Sequence, residues 1–148
     1  MLFDDISEGI KEAMKAKDAV RRDTLRNVKK VFLEAKTAPG ANDELSDADA
    51  LKILQKLAKQ GRESAEIFTQ QGRADLAENE LAQVRVLEEY LPKQLSEAEL
   101  ESALRAIITQ LGVTEAREMG KVMGVATKQL AGKADGKAIS AMVKKILA

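Results

Sequence analysis

The residues of this chain whose type and spacing suit a chemical task are cationic: Arg117, Lys121 and Lys128 around Gly124, then Lys133, Lys137 and Lys144. On a helical wheel with Gly120 at zero and about 100° per residue, Arg117, Lys121 and Lys128 fall between about 60° and 100°. Met119, Val122, Met123, Ala126 and Leu130 fall between about 200° and 300°, an apolar stripe on the opposite side. Gly124 lies at about 40°, beside the cations. A glycine inside a helix costs about 1 kcal/mol relative to alanine, so one on the polar side calls for a reason. Two reasons are open. A foreign sugar–phosphate backbone comes close there between cations, or Gly120 and Gly124 make a Gly-x-x-x-Gly contact with a neighbouring helix. Lys137 and Lys144 share a face of the next helix, and with Lys133 and Lys145 they extend the same positive field.

Charge along the chain points the same way. Residues 1–40 carry nine basic and seven acidic side chains, residues 41–101 seven and fourteen, and residues 119–148 six and one. A chain balanced in total is therefore polarised, with a cationic end suited to an anionic partner. The aromatic residues are Phe3, Phe32, Phe68 and Tyr90, and the phenylalanines fall on core stripes. No platform for stacking single-stranded bases is visible. The pattern favours shape and phosphate recognition of a folded RNA over reading of bases.

Catalytic chemistry has little to work with. The chain has no His, Cys or Trp. That removes disulfides, thiolates, cysteine metal sites, the commonest general base and the commonest transition-metal ligand. Two of the serines, Ser46 and Ser96, read as helix caps, and Lys137, near Ser140, has no evident reason to lose its proton. The run Gly132-Lys133-Ala134-Asp135-Gly136-Lys137-Ala138 superficially resembles a phosphate loop. It is one residue short, ends in Ala where Ser or Thr would bind magnesium, and follows no strand, so it reads as an interhelix turn. The acids Glu63, Glu66, Glu78, Glu80, Glu88 and Glu89 lack the Glu-x-x-His of ferritin-like metal sites and read as a solvated face. No catalytic residue, metal site or cofactor is assigned.

The elements that position these groups are helices. Helix formers dominate and no segment alternates with period two for long. Phe3, Ile6, Ile10 and Ala13 mark a first helix ending near Lys17. Asp18 caps a second, striped by Leu25, Val28, Phe32 and Ala35 and stopped by Pro39-Gly40. Ser46 and Asp49 resemble a capping box, with Asp in place of Glu, opening a third helix striped by Leu51, Leu54, Ala58, Gly61, Ala65 and Phe68. Gln71-Gly72 closes it. A fourth carries Ala77, Leu81, Val84, Leu87 and Leu91 and ends before Pro92. Ser96 and Glu99 form a better capping box for a fifth helix, with Leu100, Leu104, Ile107 and Leu111 inward, ended by Gly112. Thr114 starts a sixth, Gly132 ends it, and Asp135 caps a seventh with Ile139, Met142, Val143, Ile146 and Leu147. The expected class is all-α: an N-terminal four-helix domain of helical hairpins (1–91), then a small three-helix domain (92–148). Tyr90, just before the break, is expected to pack between the domains and bond a terminal carbonyl. Arg73 and Asp75 are expected to tie the tip of the second hairpin. No apolar run approaches the ~20 residues of a membrane span, and the acidic start, Asp4 and Asp5, is unlike a signal peptide. A cytoplasmic protein with no membrane partner is expected.

Several blocks of this sequence resemble the GatB/YqeY family. They are Arg73-Ala74-Asp75-Leu76-Ala77-Glu78-Asn79-Glu80, Leu87-Glu88-Glu89-Tyr90-Leu91-Pro92-Lys93-Gln94-Leu95-Ser96-Glu97, Met119-Gly120-Lys121-Val122-Met123-Gly124 and Gly132-Lys133-Ala134-Asp135-Gly136-Lys137. Lys17-Asp18 with Thr24-Leu25-Arg26 is similar to the family's opening. Gly61 and Gln83 depart from its pattern. The resemblance implies a helical N-terminal domain and a C-terminal domain like the tail of the B subunit of glutamine-dependent tRNA amidotransferase, a tail associated with gripping tRNA. The leading expectation is a non-catalytic helical adaptor that binds tRNA or another structured RNA through Arg117, Lys121, Gly124, Lys128, Lys133, Lys137 and Lys144. An aminoacyl-tRNA-modifying enzyme is a further expected partner. Two alternatives stay open: participation in glutamine-dependent amidotransfer (carbon–nitrogen ligase chemistry) within a complex, and a protein–protein scaffold.

Overall fold

The computed structural model describes residues 1–148, and their regular structure is all helical. In chain order it runs α1 (Leu2–Lys15), α2 (Ala19–Lys36), α3 (Asp47–Gln70), α4 (Ala74–Glu88), α5 (Glu97–Leu111), a 3₁₀ turn (Ala116–Glu118), α6 (Met119–Gln129) and α7 (Gly136–Leu147). Side-chain caps set most of the starts. Asp18 accepts from the Arg21 amide, and Asp135 from the Ala138 amide at 2.7 Å. Ser96 and Glu99 form the full reciprocal box at the head of α5. The Ser96 bonds draw the Glu99 carboxyl below its ordinary pKa. At α3 only half a box forms: Ser46 Oγ accepts from the Asp49 amide, and the aspartate, one methylene shorter than glutamate, returns no bond. Gly112 ends α5 in the left-handed region at φ +69°, where a side chain would be strained.

Residues Met1–Leu91 form one compact unit and Pro92–Ala148 another. In the first, α1 packs on α2 and α3 on α4, and α4 also meets α2. Ile6, Leu25, Val28, Phe32, Leu54 and Ala58 are sealed from solvent at its centre. Two glycines let these helices close up. A Cβ on Gly61 of α3 would stand 2.6 Å from Val84 Cγ2 of α4. A Cβ on Gly9 of α1 would overlap the Tyr90 hydroxyl and press Leu25. Arg73 and Asp75 are joined by two hydrogen bonds at the α3–α4 turn.

Several side chains sit differently from the sequence reading. Tyr90 packs within the first unit, its hydroxyl against Gly9 and beside Arg21, and no hydrogen bond joins that hydroxyl to a helix-terminal carbonyl. Burial pulls the Arg21 pKa down, but the Glu89 hydrogen bond and charge, with Tyr90 adding, leave it raised. Phe32 is buried, whereas Phe3 and Phe68 are half-buried. Phe3 lies at the core edge, where its ring faces two cations, Lys36 Nζ at 4.3 Å and Lys29 Nζ at 5.9 Å. Leu81 is 37% exposed and Leu111 39%, so neither belongs to the core stripe. Because α4 meets both α3 and α2, its buried face turns to include Val86, and on α5 Ile108 is buried while Leu111 is not.

In the second unit α5, α6 and α7 each touch the other two around Leu104, Val122, Ile139 and Val143. The entering strand of coil is belted to the α6–α7 turn: Gln94 Nε2 donates to the Gly132 carbonyl at 2.6 Å, and the Leu95 amide to the Lys133 carbonyl at 3.0 Å. With its own core and capped helices, residues 92–148 expressed alone should be helical by circular dichroism but melt below the full chain. A disordered fragment at low temperature would refute that.

The Gly9–Tyr90 contact gives a second outcome. Gly9→Ala should destabilise the protein by about 1–3 kcal/mol through overpacking. In a Tyr90→Phe background, where the overlapped hydroxyl is gone and only the Leu25 contact remains tight, the same change should cost less. Chemical denaturation of the four proteins of this cycle reads the coupling.

Candidate nucleic-acid interface

The chain reaches α6 by a route the sequence did not announce. Thr114 caps nothing. Glu115 is extended, Ala116–Glu118 make a 3₁₀ turn, and α6 begins only at Met119. The reason is packing: Val113 is buried, its amide bonded back to the Ile108 carbonyl, which delays the next helix until the backbone has turned. Arg117 therefore stands on the 3₁₀ turn, outside the α-helical wheel used to place it.

From Met119 onward the wheel holds. Val122, Ala126 and Leu130 are buried, and Met119 and Met123 are half-buried against the same core. Lys121, Gly124 and Lys128 are exposed on the other side. The two glycines differ sharply from Gly9 and Gly61. A Cβ on Gly120 or Gly124 meets nothing within 4 Å, so neither relieves a contact with a neighbouring helix of this chain. The Gly-x-x-x-Gly packing reading is thereby removed. What remains is a strip of bare backbone between cations.

The remaining lysines are distributed rather than gathered. Lys133 lies in the α6–α7 turn, Lys137 in the first turn of α7, and Lys144 and Lys145 in its last. All four are exposed. Lysines in the last turn also offset the negative end of the helix dipole, as Lys128 does on α6. Arg117 pairs with Glu115, and Lys121 with Glu118 at 4.0 Å. Their side chains are 82% and 72% exposed, so these pairs hold the cations by at most about 1 kcal/mol and yield to a stronger anion. The phosphate-loop-like segment is a turn: the Asp135 carboxylate itself supplies the negative charge at the α7 N-terminus.

One feature of this unit escaped the sequence reading. Lys133, Lys145, Glu97 and Asp135 line a groove of about 450 Å³ together with Leu95, Leu100, Ala138 and Met142. Ala138, Ala141, Met142 and Lys145 fall at the three-to-four spacing of one helix face, which was the available signal. The N-terminal segment of α5 that completes the groove is distant in sequence and gave none.

The YqeY-like protein family matches residues 3–147. The chain belongs to that family. Among curated relatives of this YqeY-like chain, three fungal proteins carry the name "Altered inheritance of mitochondria protein 41, mitochondrial". The one from Lachancea thermotolerans is 28% identical over 72% of this chain and 58% of its own length. That from Kluyveromyces lactis is 28% identical over 94% of this chain and 72% of its own, and that from Meyerozyma guilliermondii 31% over 81% and 64%. The YqeY-like chain thus spans well under the full length of these relatives. None of its helices is long and apolar enough to cross a membrane.

Because the space beside them is open, Gly120→Ala and Gly124→Ala should each stabilise this YqeY-like fold by about 0.5–1 kcal/mol. That corresponds to a rise in Tm of roughly 1–4 °C at this size. A fall in Tm for either variant would reinstate a packing contact.

Proposed function

We propose that this chain binds tRNA or another folded RNA through its second unit, with Lys121 and Lys128 on α6 and Arg117 on the preceding turn approaching phosphates across Gly124. Lys133, Lys137 and Lys144 extend the field. The observation that carries this reading is the pair of glycines with open space. Each weakens α6, and no part of the chain fills the room they leave. A phosphodiester backbone needs such a gap, and cations flanking it supply the attraction. The likeness to the amidotransferase B-subunit tail supports tRNA as the RNA. The few aromatic residues support recognition by shape. We place this role in the cytoplasm and assign no catalytic step to the chain.

Neutralising Lys121 or Lys128 should weaken binding of folded tRNA with at most a small change in Tm. Both side chains stand clear of the core, and their pair and dipole contributions are each at most about 1 kcal/mol. Each lost contact should flatten the log–log salt dependence by up to about 0.9, the value for a double-stranded DNA phosphate. Gly124→Leu should keep the helix and block the approach. Filter binding of tRNA at two salt concentrations, beside a melting curve for each variant, reads all three. Unchanged affinity across the set refutes the assignment. The purified protein should show no glutaminase turnover above a buffer blank, and turnover lost on substitution of a single serine would overturn the non-enzymatic reading.

A further inference from the structure

The first unit contains a cleft unrelated to the basic face. It is lined by α2, α3 and α4 and encloses about 170 Å³. Drug-sized pockets run to roughly 300–1,000 Å³, so this one suits a single side chain or small ion rather than a nucleotide. Its rim brings together Asn27 of α2, Gln60 and Ser64 of α3, and Glu80 and Gln83 of α4. None of these five side chains is engaged in a hydrogen bond or ion pair within the chain. Thr24, beside them, spends its hydroxyl on the Val20 carbonyl at 2.7 Å. The floor is apolar, formed by Leu57, Val84 and Leu87. At Gly61 the α3 backbone comes directly against Val84, whose Cγ2 stands 2.6 Å from where a Cβ would be, so α4 closes the cleft on that side.

The only charge lining the cleft is the Glu80 carboxylate; α2, which forms one wall, carries six basic and two acidic side chains, so the negative charge is local to Glu80. The occupant is therefore a cation. It needs an aliphatic stem to lie on the leucine–valine floor. It gains from several donors at once, because Glu80 only accepts and the amides of Asn27, Gln60 and Gln83 can each turn an oxygen toward it. An alkylguanidinium meets these requirements better than an ammonium, having a planar fork of five donors and weaker hydration. We infer that this cleft is a binding site for an alkylguanidinium group, either a free arginine-like molecule or an arginine side chain of another protein.

The inference does not rest on the RNA reading, since the cleft lies in the other unit and lysine variants of α6 and α7 leave it intact. The test is a titration of isotope-labelled full chain, followed by ¹H–¹⁵N correlation spectra. The probes are N-acetyl-arginine methylamide, its uncharged citrulline counterpart and free arginine. Shifts from the capped arginine should be confined to the Asn27, Gln60 and Gln83 side-chain amides and to the backbone around residues 60–64 and 80–84. Losing a charge-assisted hydrogen bond weakens binding by about ten-fold or more, the result expected both for Glu80→Gln and for the citrulline probe. Because Glu80 has no partner in the chain, Glu80→Gln should melt with the parent. Equal affinity for free arginine would identify a small molecule as the source, and preference for the capped form a protein side chain. Shifts scattered over the surface, a citrulline probe that binds as well as arginine, or full affinity in Glu80→Gln would each overturn the site.

Discussion

A Cβ at Gly61 would stand 2.6 Å from Val84 Cγ2, and one at Gly9 would overlap the Tyr90 hydroxyl, so two helix contacts of the first unit require a missing side chain. The rest of that unit follows from how close those helices come. With no tryptophan and three phenylalanines, the core is built, apart from Phe32, from Ile, Leu, Val and Ala. Small side chains make good contact only where helix axes approach, because dispersion falls off within a fraction of an ångström. Gly61 brings α3 onto α4 at Val84 and leaves the cleft beside it. Gly9 admits Tyr90, which brings the end of α4 back onto α1 and sets the hydroxyl beside Arg21.

The second unit uses glycine in the opposite way. Gly120 and Gly124 border no other part of the chain, and Val122, Ala126 and Leu130 on the far side hold α6 in place without them. A helix weakened on its polar face still persists when its apolar face is packed, since most helical stability in proteins is tertiary. The same division explains the lysines. Those in the last turns of α6 and α7 serve the helix ends locally and stay exposed, which leaves them available to phosphates.

Polar groups are used with similar economy. Ser96, Glu99, Asp18 and Asp135 close helix starts, and Gln94 joins the interunit segment to the Gly132 carbonyl. The side chains around the α2–α3–α4 cleft are the contrast, being gathered by three helices without bonding one another. In each unit the groups proposed to meet a partner are those the fold positions but does not consume.

By itself the sequence determined the helical class, the family resemblance, the caps at Asp18, Ser96 and Asp135, and the buried and exposed sides of α6. All of these depend on residues within a few positions of one another, where spacing maps directly onto geometry. Tertiary structure decided what depends on a second element. It turned α4 so that Val86 is buried and Leu81 is not, and drew Tyr90 onto Gly9. It delayed α6 until Val113 was seated, and showed that the space beside Gly124 is empty. A glycine in a sequence announces only that a side chain is missing. Whether another helix fills that space or leaves it open depends on residues far away in the chain, which local spacing does not encode.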